Sequence, residues 1–141
     1  MSIQYAGEYK LLECKIMSST GAVARLDDKV ISFQIYENLF SQSIIASMTI
    51  IDNTNMIMKM PFIGQEFVAL RIETPDIGEI NFSDNLFAVT NVKVRQDVSN
   101  DTQIYELSLV STESLRNART RVSKSYSGAV SSIVTSILTV S

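Results

Sequence analysis

The chain has 141 residues, 45% of them hydrophobic, with no His, no Trp and one Cys, so it holds one domain with a real core, or one domain and the start of another. Without the side chain that most often moves protons near neutral pH and binds zinc, it is a poor fit for a hydrolase or a metalloenzyme. A formal net charge of -3 argues against wrapping a nucleic-acid backbone, which takes a concentrated basic surface. Cys14 cannot form an internal disulfide, and the start MSIQYAGEYK lacks the basic and apolar regions of a signal peptide. No apolar run reaches the roughly 18 to 20 residues of a membrane span. The expectation is a protein made and assembled in a cytosol.

From Tyr9 to Ser18, Leu12, Cys14 and Ile16 alternate with Glu13 and Lys15, the period of a half-buried strand. The polar stretch Ser19 to Lys29 reads as a long loop or extended hairpin connection. Alternation returns at Val30 to Leu39, with Ile31, Phe33 and Ile35 inward. A turn near Phe40 to Gln42 leads into Ser43 to Ile51, with Ile44, Ala46, Met48 and Ile50 inward, and the two runs are expected to pair antiparallel. Asp52, Asn53 and Thr54 then start a helix of one or two turns that stops at Pro61. Its Met56, Met58 and Met60 are read as gap-fillers in a core or interface, since a soft-metal site would show more sulfur or imidazole nearby.

Gly64 marks a turn, and Glu66 to Thr74 is a strand with Val68, Leu70 and Ile72 on one side and Arg71 and Glu73 on the other. After a turn at Pro75 to Gly78, the strongest hairpin signal runs from Leu86 to Ser111. One arm sets Ala88, Val92 and Val94 against Asn91, Lys93 and Arg95, and the other sets Tyr105, Leu107 and Leu109 against Glu106 and Ser108. Asp97 to Asp101 forms the turn. Six strands of this kind predict a mainly β, α+β domain, an antiparallel barrel or sandwich with one or two helices closing an open face.

Thr112 to Lys124 is expected to be helical, with Glu113 in the first turn, an apolar stripe of Leu115, Ala118 and Val122, and a basic face of Arg116, Arg119, Arg121 and Lys124. That face suits phosphates or an acidic partner, and equally an ordinary solvated helix surface. Ser125 or Ser127 caps a second helix, whose stripe is Val130, Ile133, Val134, Ile137 and Leu138. Its opposite face, Ser131, Ser132, Thr135, Ser136 and Thr139, carries no charge. This predicts that the helix packs with both faces, or that the chain is the front part of a longer polypeptide.

The order of these elements resembles the first domain of the central baseplate hub family of contractile-tailed phages. The resemblance rests on FAVTNVKVRQDVSNDTQIYELSLVSTESLRNARTRVSKSYSGAVSSIVTSIL: a hairpin, then Ser111, Glu113 and Asn117, then the basic patch Arg119 to Lys124. Tyr126, Ser127 and Gly128 follow, and then Ile133, Val134, Ile137 and Leu138. Upstream, FQIYENLFSQSIIASMTIIDNTNMIMKMPFIGQEFVALRIETP matches in style, including the Pro-x-x-Gly-x-Glu turn at Pro61, Gly64 and Glu66. The match covers most of the chain from about Val30 onward, and only the order of the motifs is specific.

The resemblance implies a tail-tube-like β-barrel hub domain over residues 1–124 and an amphipathic helix over 125–141 that leads into further domains. It implies a structural virion protein, not an enzyme, without cofactor or metal. Such a protein forms a homotrimer in the tail baseplate, linking the sixfold tail tube protein to the threefold central spike protein, with the tape-measure protein as a further partner. It lines the channel through which DNA passes without specific binding, and it is assembled in the host cytoplasm. Mild acidity suits a conduit that should not hold phosphates.

Candidate interface residues are Asp27, Asp28 and Lys29 in the long loop, Val98, Ser99 and Asn100 at the hairpin tip, Arg116, Arg119 and Arg121, and Ile133 and Ile137 in the last helix. The alternatives are a tail tube protein forming hexameric rings and a cell-wall hydrolase built on Glu13, Glu37, Glu66, Glu73 or Asp84. These carboxylates share no local motif.

Overall fold

Eight strands and three helices follow one another as β1 (Lys10–Met17), β2 (Val23–Arg25), β3 (Val30–Tyr36), β4 (Ile45–Asp52), α1 (Met56–Lys59), β5 (Phe67–Thr74), β6 (Gly78–Asn81), β7 (Phe87–Ser99), β8 (Thr102–Ser111), α2 (Thr112–Arg119) and α3 (Val130–Leu138). The computed structural model describes residues 8–60, 62–99, 102–121 and 123–139. Pro61, Asn100, Asp101 and Val122 lie outside the described residues, as do the side chains of Met58 and of residues 94–98. The domain is mainly β, of the α+β class.

All strands belong to one antiparallel sheet in the order β2, β1, β5, β7, β8, β4, β3, with β6 paired to the far half of β5. No ladder joins the outer strands β2 and β3 among the described residues, so the expected barrel or sandwich is an open sheet. The two outer strands are consecutive in the chain, and Leu26 in the turn between them is fully buried. Its N–H donates to the Cys14 carbonyl and its own carbonyl accepts from Lys29 and Val30, so the turn draws both sheet edges over one core. The two strands missed by sequence are the short ones. Val23–Arg25 folds back on β1, and Gly78–Asn81 folds back on β5; runs this short carry too few alternations to register.

The core sits on one face. Alternation places Cys14 and Ile16 of β1, Ala46, Met48 and Ile50 of β4, Val68, Leu70 and Ile72 of β5, and Tyr105, Leu107 and Leu109 of β8 there, as expected. Leu12 and Ile31 depart from expectation. The register slips between Leu11 and Glu13 in β1 and between Val30 and Ser32 in β3. A bulge adds one residue and reverses the facing of everything before it. Leu11 and Val30 therefore pack on the core, and Ile31 is 52% exposed. A third slip between Val89 and Asn91 accompanies three consecutive buried residues, Phe87, Ala88 and Val89. The β7–β8 ladder continues to Ser99 opposite Thr102, so Asp97 and Val98 lie in the strand and not in the turn.

Two buried carboxylates shape the crossing from β4 to β5. The period of β4 carries Asp52 inward at 1% exposure, and the first α1 residues close on it. Its Oδ2 accepts the Met56 N–H at 2.5 Å, and its Oδ1 accepts the Thr54 N–H and hydroxyl at 2.9 Å each. Asn55, at positive φ, is the formal N-cap, but Asp52 supplies the capping oxygen. Met56 and Met60 then fill the core and Phe62 meets Tyr105 edge-on. Glu66, fully buried, accepts the N–H groups of Ile63 at 2.8 Å and Gly64 at 3.0 Å. Gly64 has a φ of 84°, a conformation costly for any other residue. The Pro-x-x-Gly-x-Glu pattern is thus a carboxylate-closed turn.

The helices depart from expectation in length and role. α2 ends at Arg119, short of Lys124, because Thr120 turns extended and its hydroxyl takes the Arg116 carbonyl at 2.8 Å. Neither Ser125 nor Ser127 caps α3; its N-cap is Ala129, with no side-chain bond. No residue of α2 or α3 is buried, so these helices do not close the sheet's apolar face. Among the described residues, the helix side chains that enter the core are Met56 of α1 and Met60 at its C-cap.

Replacing Glu66 with Ala is expected to cost about 1–3 kcal/mol in urea unfolding, the penalty for two stranded backbone donors. For Asp52, burial alone would raise its pKa, but the bonds from Thr54 and Met56 and the charge of Lys29 outweigh it and hold the carboxyl below its usual value. A lowered folded pKa gives stability that is present at neutral pH and lost as pH falls through that value. Asp52→Asn should therefore cost about 1–2 kcal/mol at pH 7, with the gap to the parent closing below about pH 4.

Candidate functional site

The connection from β3 to β4 is built as a rigid presentation of two apolar side chains. Asn38 accepts the Phe40 N–H on its side-chain oxygen at 2.9 Å and the Ser41 N–H on its carbonyl at 3.0 Å. The Ser41 hydroxyl donates to the Ser43 carbonyl at 2.9 Å, and Asn117 of α2 donates to the Gln42 side-chain oxygen. At its base, Ser111 and Ile44 exchange two bonds. On this tied frame Leu39 is 98% exposed and Phe40 97%. Two adjacent large apolar side chains so fully exposed on a hydrogen-bonded turn make this turn the candidate association surface.

The start of α2 divides two grooves. One, of about 300 Å³, has the apolar floor of Phe82 and Phe87 and the acidic rim of Glu37 and Glu113. The other, of about 290 Å³, is lined by Phe67, Leu86 and Leu115, with Arg116 and Arg119 on its rim and Asp84 beside them. None of Glu37, Glu113, Arg116 and Arg119 has an ion-pair partner among the described residues. A third groove, of about 280 Å³ between Phe33, Ile72 and Ile77, is bordered by Glu8 and Asp76.

The residues singled out from sequence scatter over this surface. Asp27 is tied into the fold: one oxygen accepts the Cys14 N–H at 2.5 Å and the other the Arg25 Nε at 2.7 Å. Lys29 donates to Asn53 at 2.9 Å, and of Asp27, Asp28 and Lys29 only Asp28 is exposed. Val98 and Ser99 end β7, and Asn100 is outside the described residues. Arg116 and Arg119 meet at one groove; Arg121 is exposed past the helix end. Ile137 is 48% exposed and Ile133 half-buried, beside Val130 and Leu138 at more than two-thirds exposed, so the α3 stripe is left uncovered.

Leu39 and Phe40 were missed because Leu39 reads as the last residue of an alternating strand, which in the structure ends at Tyr36, and Phe40 as the first residue of the turn after it. The available signal was two large apolar residues inside a polar turn, between Asn38 and Ser41.

Among the carboxylates, Glu13 pairs with Lys15 and faces Arg71 at 4.0 Å, and Glu73 faces Lys10 at 3.9 Å. The Lys15 bond holds Glu13 below its ordinary pKa against a smaller opposing effect of burial. Glu66 is committed to its turn, and Glu37 and Asp84 line different grooves. Among the described residues no cluster of His, Cys, Asp and Glu is arranged to hold a metal ion, and no helix is long and apolar enough to cross a membrane. No family model, curated protein or solved structure matches this chain.

Cys14 is fully buried, its sulfur 4.0 Å from that of Met48, and burial with the nearby Asp27 charge pushes its thiol up to about 12. Since the thiolate is the reactive form, iodoacetamide at pH 8 should leave the folded protein unlabelled and label it fully in denaturant, as read by mass spectrometry.

Proposed function

We propose that this chain is a structural subunit of a contractile phage tail, the tube-like domain of the central baseplate hub, which assembles as a ring around the path of the DNA. The observation that carries the reading is the ordered, uncovered apolar surface: Leu39 and Phe40 on a tied turn, with the bare stripe of α3. A chain that spends this much apolar surface on solvent is built to be covered by neighbours. Two further features support it. The long β7–β8 hairpin leads directly into α2, in the order that carries the family resemblance. The net charge of -3 suits a channel wall that repels phosphates.

On this reading the chain has self, the tail tube protein and the spike protein as partners, with the tape-measure protein inside the assembled channel. It takes no cofactor and performs no catalysis. Light scattering of the purified chain over a concentration series is expected to give a trimer. A hexamer or open polymer would assign it to the tail tube instead, and a monomer at every concentration would overturn ring assembly.

A further inference from the structure

The exposed turn and the basic groove are complementary. The turn offers Leu39 and Phe40, with unpaired Glu37 beside them. The groove offers an apolar floor of Phe67, Leu86 and Leu115 beneath Arg116 and Arg119, which have no ion-pair partner among the described residues and outnumber Asp84, the one acidic residue of its lining. Both kinds of charge stand at the edge of an apolar surface, where covering them without a partner would be costly. Another apolar groove of similar size exists, but it is bordered by Glu8 and Asp76, which would set like charges against Glu37. Charge therefore selects between the two.

We infer that the Leu39–Phe40 turn of one copy inserts into the Arg116–Arg119 groove of the next, with Glu37 of the first copy facing the arginines of the second. The inference rests on the ring reading and names its contact. Knob and groove are different patches of one surface, so the contact is head-to-tail. Every copy keeps one free knob and one free groove until a ring closes. The partner is a second copy of this chain, and the arginines serve a carboxylate, not a phosphate.

The test mixes two defective variants. Leu39→Ser with Phe40→Ser removes the knob, and Arg116→Glu with Arg119→Glu spoils the groove; all four side chains are largely exposed, so both proteins should keep the parent's circular dichroism and melting. Each alone is expected to be monomeric by light scattering. Mixed in equal amounts they should form a dimer and nothing larger, because one good knob and one good groove remain. Glu37→Arg placed in the groove-defective chain should recover assembly at least tenfold in midpoint concentration. If the parent assembles and the variants assemble equally well, this contact is overturned while the ring reading stands. If the mixture stays monomeric beside an assembling parent, the head-to-tail pairing is wrong. If the parent itself never assembles, both fall.

Discussion

A single sheet with one apolar face has to bury that face on itself, and the rest of this structure follows from that constraint. The larger helices, α2 and α3, bury no residue, so the core is enclosed by strands, by the one-turn helix α1 and by the turn that carries Leu26. Flat strands cannot do this. The register slips in β1, β3 and β7 bend and twist the sheet locally, and each moves a neighbouring side chain from one face to the other. Curvature and residue facing are thus one event, seen in Leu11 replacing Leu12 and in Val30 replacing Ile31 on the core face.

The polar groups inside follow the same economy. Asp52 and Glu66 sit in the apolar interior with no ion pair among the described residues, and each is satisfied by backbone or hydroxyl donors of the segment it organises. A carboxylate that accepts two or three such bonds tolerates burial and at the same time dictates the path of the chain. The crossing from β4 to β5 therefore holds its shape with hardly any regular structure, and it brings Met56, Met60 and Phe62 against Tyr105 and its neighbours.

With the core complete, the surplus apolar surface acquires meaning. Leu39, Phe40 and the α3 stripe stand outside the buried core cluster. They lie on elements outside the sheet, and the turn is braced by bonds within itself and by one bond from Asn117 of α2 to Gln42. The same helix separates an acidic rim from a basic one, so one chain presents both halves of a complementary pair. On the proposed contact such a subunit would extend through copies of itself, which would join the fold to the proposed role in a tail.

Period-2 alternation was enough to place β1, β3, β4, β5 and the β7–β8 hairpin, and to assign most core residues, because burial on one face imposes that period directly. Only Arg116 and Arg119 of the expected basic face lie on α2, while Arg121 and Lys124 fall past its end, but a helix after the hairpin was legible too. The bulges were not: a slip of one residue depends on the strand opposite, which local sequence does not specify. Nor were β2 and β6, too short to show a period, or the open edge between β2 and β3 in place of a closed barrel. Charge and composition by themselves fixed only the length, the single Cys, the absence of His and Trp and the mild acidity, from which the functional expectations are drawn. Only the tertiary structure decided that Asp27 ties its loop to Cys14 of β1, that Arg116 and Arg119 border one groove with Phe67 and Leu86, and that Leu39 and Phe40 stand uncovered, since each depends on residues from other elements of the chain; the Glu66 turn is closed by bonds only two and three residues long, which composition alone does not specify.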